Sequence, residues 1–294
     1  MELIPAKNIV FRTKKPAAWF GADYNMNIYR GCTHGCIYCD SRSSCYRNPD
    51  FDTIRVKQDA LRIIRDDLNR KVRHGVVATG AMSDPYNPLE RDLKLTRNAL
   101  ELLNAYGFGV AVDTKGVLVT RDKDILQDVK RHSPVIVKIT ITTSDDDLCA
   151  KIEPGAPSTG ERFAALSTLS ESGIYCGVLM MPILPYINDT EENIVGIVRR
   201  AKEAGAKFVY PAFGMTLREG NREYYYERLN ELFPALNEIY SKRFGTRYSC
   251  ASPKAKSLWN VFANACDRYG LCYDMKAITL QYKLGYETQL TLFS

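Results

Sequence analysis

The chain has 294 residues, a net charge of +6, 45% hydrophobic and 25% charged residues, enough length for a sizeable core and too balanced a composition for long disorder. No stretch approaches the roughly 18 uninterrupted apolar residues of a membrane span, and the first fifteen residues carry no apolar signal core, so a cytoplasmic protein is expected. The mild basic excess helps a polyanion approach without requiring one. Nine cysteines, an odd number, do not suit a disulfide framework and point to metal binding by some of them.

In chain order, residues 24–29 read as a first strand, followed by a cysteine-bearing loop and a first long helix over 57–73, where Ala60, Leu61, Ile64 and Leu68 fall at helical spacing. From about 75 to 211, apolar runs alternate with amphipathic segments. The runs at 75–80, 109–113, 135–142, 175–181 and 207–210 are predicted strands two to six. Between them lie predicted helices at 93–106, 122–131, 159–173 and 190–204, with Gly107 and Gly173 as stops. Six such units make an α/β fold of partial (β/α)6 barrel type, whose chemistry gathers at the carboxyl ends of the strands. After Pro211 the pattern turns helical, at 222–242, 254–269 and 275–284. The expected division is therefore an N-terminal extension over 1–23, the barrel over 24–211 and a helical C-terminal region over 212–294.

Cys32, Cys36 and Cys39 share one glycine-containing loop, CTHGCIYC. Three thiolates at this spacing suit an iron-sulfur cluster with one iron left open, or a zinc loop completed by Cys45 or His34. The segment YRGCTHGCIYCDSR resembles the signature loop of the radical S-adenosylmethionine (SAM) superfamily. That resemblance implies a [4Fe-4S] cluster on Cys32, Cys36 and Cys39, with SAM chelated at the fourth iron. It also implies an external one-electron donor, reductive cleavage of SAM to a 5′-deoxyadenosyl radical, and Tyr38 beside the adenine.

Four further stretches extend the resemblance to the spore photoproduct lyase-like branch: TGAMSDPYNPLERDLKLTR at 79–97, DTKGVLVTRDKDIL at 113–126, KITITTSDD at 138–146, and IEPGAPSTGER at 152–162 with MPILPYIND at 181–189. It places Ser83 and Asp84 at the methionine amino group, Lys115 at the SAM carboxylate, and Thr140 and Thr142 near the ribose and methionine. A zwitterion needs such acceptors and such a cation. A plain turn before Pro85 and a solvent-facing Lys115 are the structural alternatives. Glu153 with Arg162 reads as a loop-fixing pair, and Arg121 with Asp122 and Asp124 as a helix N-terminal cap. The match breaks at Ala81 and Asp40, where the lyase has the cysteine and tyrosine that return a hydrogen atom. Cys45 is then the candidate hydrogen donor, Cys149 and Cys176 are expected to be buried thiols, and Cys45, Cys250, Cys266 and Cys272 could together form a second metal site.

Two segments point to partners. Gln289, Leu290, Leu292 and Phe293 resemble the pentapeptide that docks bacterial DNA-processing proteins on the sliding clamp, and the rival reading is a tail folded on its own domain. Residues 218–228, REGNREYYYER, interleave cations and aromatics as nucleic-acid surfaces do, with at least one of Tyr224, Tyr225 and Tyr226 expected in the core. The leading expectation is radical SAM chemistry on a nucleic acid, such as a DNA lesion. The alternatives are the same chemistry on RNA, a peptide or a small molecule, and a non-catalytic zinc- or cluster-binding regulator.

Overall fold

The runs richest in Val, Ile and Ala become strands covered on both faces, as parallel sheets require. A computed structural model describes residues 2–14, 19–71 and 73–286. Its main sheet holds the strands Tyr24–Met26, Val76–Thr79, Gly109–Thr114, Val135–Thr140, Cys176–Met180 and Phe208–Pro211, side by side in chain order. All five pairings between them are parallel. This is the open, six-unit α/β sheet of a partial barrel. Val10–Arg12 adds an antiparallel seventh strand at one edge.

The two-residue period sorts the side chains. Val77, Val110, Val137, Ile139 and Val178 pack with Leu100, Leu126, Leu166 and Ile197 of the flanking helices. On the other face Ala78, Ala111, Ile136 and Leu179 meet Phe20, Phe208, Ile278 and Tyr282. Small residues at 78 and 111 leave room for these rings. Helices between the strands start where acceptors satisfy their free N–H groups, on Asp145, on Thr190, and on Ser158 with Glu161 in a reciprocal capping box.

Several expected boundaries move. The first strand ends at Met26, and Tyr29–Arg30 joins Arg55–Lys57 and Glu2–Ile4 in a separate three-stranded sheet. The helix expected over 57–73 therefore shrinks to Ala60–Asn69. The segment read as an N-terminal extension supplies strands to both sheets. The single helix expected over 222–242 is two, Asn221–Leu232 and Pro234–Arg243, because Pro234 lacks the N–H that would continue the first and suits the start of the second.

The C-terminal region is mostly helical, with a two-stranded ribbon of Gly214–Thr216 and Ser249–Ala251. Its helix Ala255–Tyr269 packs on Glu191–Glu203. Helix Met275–Lys283 puts Ile278 and Tyr282 against the inner sheet face, where the Tyr282 hydroxyl donates to Phe20 O at 2.6 Å. No described helix is long and apolar enough to cross a membrane. Ile278→Ala should cost about 2–5 kcal/mol in urea unfolding, whereas Leu280→Ala, at a site 73% exposed on the same helix, should stay within about 0.5 kcal/mol.

Candidate functional site

The cysteine loop follows Tyr29–Arg30 of the small sheet and is clamped from two sides. Cys32 N–H donates to Phe51 O at 2.8 Å, Ile37 N–H to Ile152 O at 3.0 Å, and Gly155 N–H to His34 O at 2.9 Å. Gly31 enters the loop at φ +90°, where an added Cβ would lie 2.2 Å from Thr53 O, so no other residue fits. Cys32 and Cys36 are buried and Cys39 is partly so. Burial pushes the Cys32 thiol up to about 11 and raises Cys36 and Cys39 as well, although Lys115 pulls the latter two down. Such thiols await a metal to take their protons' place. Their sulfurs do not converge as a single-ion site, nor does any trio of His, Cys, Asp or Glu among the described residues. A cubane takes one thiolate per iron and needs no such convergence.

Beside the loop, the Glu153 carboxylate is fully buried and takes four partners, one of them the Cys149 thiol, which lies 3.7 Å from Oε2. Oε1 accepts the Tyr38 hydroxyl and the Thr142 hydroxyl, the latter at 3.0 Å, and Oε2 pairs with Arg162. Burial opposes its charge, but Arg162, Lys115 and the Tyr38 hydrogen bond overcome it and lower its pKa to about 2. Lys115 has its ammonium 5.5 Å from the Tyr38 ring centroid. Burial works against that charge too, and Cys36, Glu153 and Cys39 outweigh it and raise its pKa. Three thiols, an aromatic ring fixed by its hydroxyl and a lysine that, among the described residues, makes no ion pair with a carboxylate thus stand together at the strand ends.

Residues 26–201 match the family model for the radical SAM superfamily. The chain belongs to the radical SAM superfamily. It is 31% identical over 228 residues to an uncharacterised protein of Mycobacterium tuberculosis, covering 75% of this chain and 67% of that one. An uncharacterised protein of Methanocaldococcus jannaschii is 35% identical over 190 residues, 64% of this chain and 69% of its own. A Pseudomonas phage M6 protein named radical SAM Nalpha-GlyT isomerase is 22% identical, covering 83% of this chain and 52% of that one. Among solved structures, spore photoproduct lyase complexed with dinucleoside spore photoproduct superposes with a TM-score of 0.67 at 17% identity, over 91% of this chain and 79% of that one. That likeness shows a shared fold. The cofactors of this radical SAM enzyme are a [4Fe-4S] cluster and SAM.

In this radical SAM chain the other expected site residues are placed as follows. Ser83, buried, donates to Gly31 O of the cysteine loop. Asp84 is buried and engaged on both oxygens: Oδ1 accepts Tyr86 N–H at 2.9 Å and the Thr114 hydroxyl at 2.7 Å, and Oδ2 accepts Lys115 N–H at 2.8 Å. It joins the ends of two strands. Thr140 closes its strand, its carbonyl held by Arg162 at 2.9 Å. Thr142 lies beyond the strand end with its hydroxyl on Glu153, so it sets the carboxylate and does not face open space. His34 Nδ1 faces Asp84 at 3.5 Å, and burial lowers its pKa despite that carboxylate.

Other expectations are revised. Asp122 and Asp124 do not cap the helix at 123; Arg97 takes both, and Arg121 bridges Asp122 and Glu90. Cys250 is buried in the core under the C-terminal ribbon and Cys266 in the main core, while Cys45 is exposed, so these thiols form no common metal site. Cys149 and Cys176 are buried as expected, although Cys149 lies against Arg162 at 3.1 Å. Tyr225 is the core member of the tyrosine triplet, bonded to Tyr240 at 3.0 Å. Gln289, Leu290, Leu292 and Phe293 lie outside the described residues.

Glu153 pairs with Arg162 as the sequence suggested, but sequence reasoning missed that the same carboxylate takes the Tyr38 hydroxyl and so ties in the cysteine loop. The signal was the spacing of an acid directly before Pro154 from the arginine nine residues on, which no local rule links to Tyr38. Removing the acid should be costly, because it strands a buried guanidinium: Glu153→Ala is expected to lose about 3–5 kcal/mol in urea unfolding. A folded-state pKa near 2 against the usual 4.5 means stability present above pH 4.5 and lost as pH falls toward 2. Wild-type protein should show that descent in acid unfolding, and Glu153→Gln should show a shallower one, since Asp124, also held near 2, still contributes.

Proposed function

We propose that Cys32, Cys36 and Cys39 hold the [4Fe-4S] cluster and that Tyr38, Ser83, Asp84, Lys115 and Thr140 shape the SAM site, with Thr142 acting through Glu153. When bound, the pair supplies the 5′-deoxyadenosyl radical after one electron from an external donor. The observation that carries this reading is the Lys115 ammonium over the Tyr38 ring, beside the three thiols, on a ring whose hydroxyl Glu153 fixes. Lys115 would pair with the SAM carboxylate, and Asp84 would hold the backbone of Lys115 in place. Cys36→Ala is expected to abolish 5′-deoxyadenosine formation after anaerobic reconstitution and reduction. Lys115→Met should keep the cluster's visible absorbance and weaken SAM binding at least tenfold; equal SAM affinity would remove Lys115 from the site.

The substrate class we propose is a nucleic acid. Three observations support it. The Arg218 guanidinium lies 5.2 Å from the ring centroid of Tyr248, which is 60% exposed, a cation-aromatic pair able to meet phosphate and base. Arg222 lines the same cleft of about 290 Å3. The names of the phage relative and of the lyase complex refer to Nalpha-GlyT and to a dinucleoside photoproduct. The lyase reaction itself is not carried over, since Ala81 and Asp40 stand where its hydrogen-returning residues would be.

In that setting Cys45 is the proposed hydrogen donor. Arg218 bridges it to the cysteine loop, with Nε 3.4 Å from Asp40 Oδ1 and Nη1 3.5 Å from Cys45 Sγ. The thiol would give its hydrogen to a substrate radical and become a thiyl, to be reduced again by a further electron and proton. In deuterated buffer, product from the wild type should carry one deuterium and product from Cys45→Ala none. Label retained in the variant sinks the assignment.

A further inference from the structure

The small three-stranded sheet gathers positive charge on one face. Arg30 is the register partner of Arg55, and Lys57 follows Arg55 by two residues on the same strand. The pleat therefore sends all three side chains to one side. Like charges opposite one another destabilise a strand pair; among the described residues none of the three makes an ion pair, and Asp67 offsets the Lys57 charge only at a distance. Arg30 donates only to the backbone oxygens of Tyr46 and Arg47. Arg55 donates to Asn48 Oδ1, and its Nε is buried without a partner. Lys57 Nζ lies 6.0 Å from the Phe11 ring.

The neighbouring acids are already engaged. Asp52 pairs with Arg42, and Asp67 pairs with Arg70 while accepting the Ile9 and Val10 N–H groups. Glu2 stands opposite Arg55 in the register but is exposed and, among the described residues, makes no ion pair with it. Burial and the Arg30 charge press the Lys57 pKa down, and Asp67 opposes them without overcoming them.

Arg30 and Lys57 line a cavity of about 300 Å3, together with Asn27, Asn48, Phe51 and Ser83. Its far wall is the cofactor site, since Ser83 donates to Gly31 O, one residue before Cys32. The lining thus supplies cations and neutral donors for an oxyanion, and an aromatic ring for whatever that anion is attached to. Its volume exceeds what a lone carboxylate needs.

We infer that this cavity is a phosphate subsite, holding a backbone phosphodiester of the substrate between Lys57 and Arg30 so that the adjoining nucleoside lies against the radical-generating loop. The identity of the ligand as a nucleic-acid phosphate rests on the substrate class proposed above; the anion site stands on the uncompensated cations. Cluster-loaded protein should bind a labelled eight-nucleotide oligothymidylate, followed by fluorescence anisotropy at a series of salt concentrations. Lys57→Gln is expected to weaken binding about five- to tenfold and to reduce the log–log salt slope by about 0.7, the share of one phosphate contact on a single strand. Lys57→Arg should retain both, as should Lys256→Gln on the exposed face of a distant helix. Asn27→Asp, which adds a carboxylate to the wall without touching Lys57, should give the same loss and serves should Lys57→Gln not fold.

Thymidine 5′-monophosphate, titrated by calorimetry, separates the sources of phosphate. Lys57-dependent binding of the oligonucleotide supports the inference, whether or not the monophosphate binds as well. Lys57-dependent binding of the monophosphate alone supports the subsite and fails the nucleic-acid reading. Oligonucleotide binding that Lys57→Gln and Asn27→Asp leave unchanged overturns the inference and spares that reading, and binding of neither probe overturns both.

Discussion

One buried carboxylate organises the site. Glu153 accepts Tyr38 from the cysteine loop and Thr142 from beyond a strand end, and pairs with Arg162 on the next helix. Placing that charge out of water is costly, and only a partner with equal need of compensation makes it tolerable. Arg162 is that partner, itself fully buried and spread across Glu153, Thr140 O at 2.9 Å and Pro157 O at 2.8 Å. Each member loses its partner if the loop shifts, so the aromatic ring beside the thiols is held by an interaction that has no low-energy alternative. Rigidity is what a site needs when a reactive fragment must be released at one place and in one orientation.

The same logic runs through Asp84 on the other side of the loop. It ties Tyr86, Thr114 and Lys115 together, so the ends of two neighbouring strands and the lysine between them move as one. Backbone clamps complete the frame, from Phe51 on one side and Ile152 on the other. The sheet supplies only a platform. What specifies the site is a set of polar groups at the strand ends, each fully engaged with another part of the loop layer.

The barrel was legible because its signals are local. Strands such as Val135–Thr140 are short apolar runs, helices such as Thr159–Glu171 carry their own caps, and the cysteine spacing is read directly. Boundaries failed where a second partner intervened. Residues 29–30 and 55–57 look like the end of a strand and the start of a helix until they pair with each other and with residues 2–4. Site residues divided the same way. The thiols could be singled out from type and spacing, Tyr38 and Lys115 only through the family resemblance, and Glu153 with Arg162 as a pair, whereas the ties from Glu153 to Tyr38 and Thr142 come from side chains 115 and 11 residues away. Asp122 and Asp124 were misread because an acid at a helix start can cap it or serve an arginine from elsewhere, and here Arg97 and Arg121 claim both.

Asp40 shows how a departure from a known pattern acquires a reason. A carboxylate cannot give up a hydrogen atom as a phenol does, so Asp40 does not replace one. It is instead an anchor: it accepts the Thr216 hydroxyl, the Tyr46 hydroxyl at 3.0 Å and the Ser43 hydroxyl at 3.3 Å, and lies 3.4 Å from Arg218 Nε. Two of these partners belong to the ribbon and the turn of the C-terminal region. That region is thereby fastened to the cysteine loop at the point where the chain leaves the third thiol, and the same arginine reaches Cys45. The cleft under Arg218 and Tyr248 then has its position fixed relative to the three thiols, so a group bound in it would be held at a set distance from the cysteine loop.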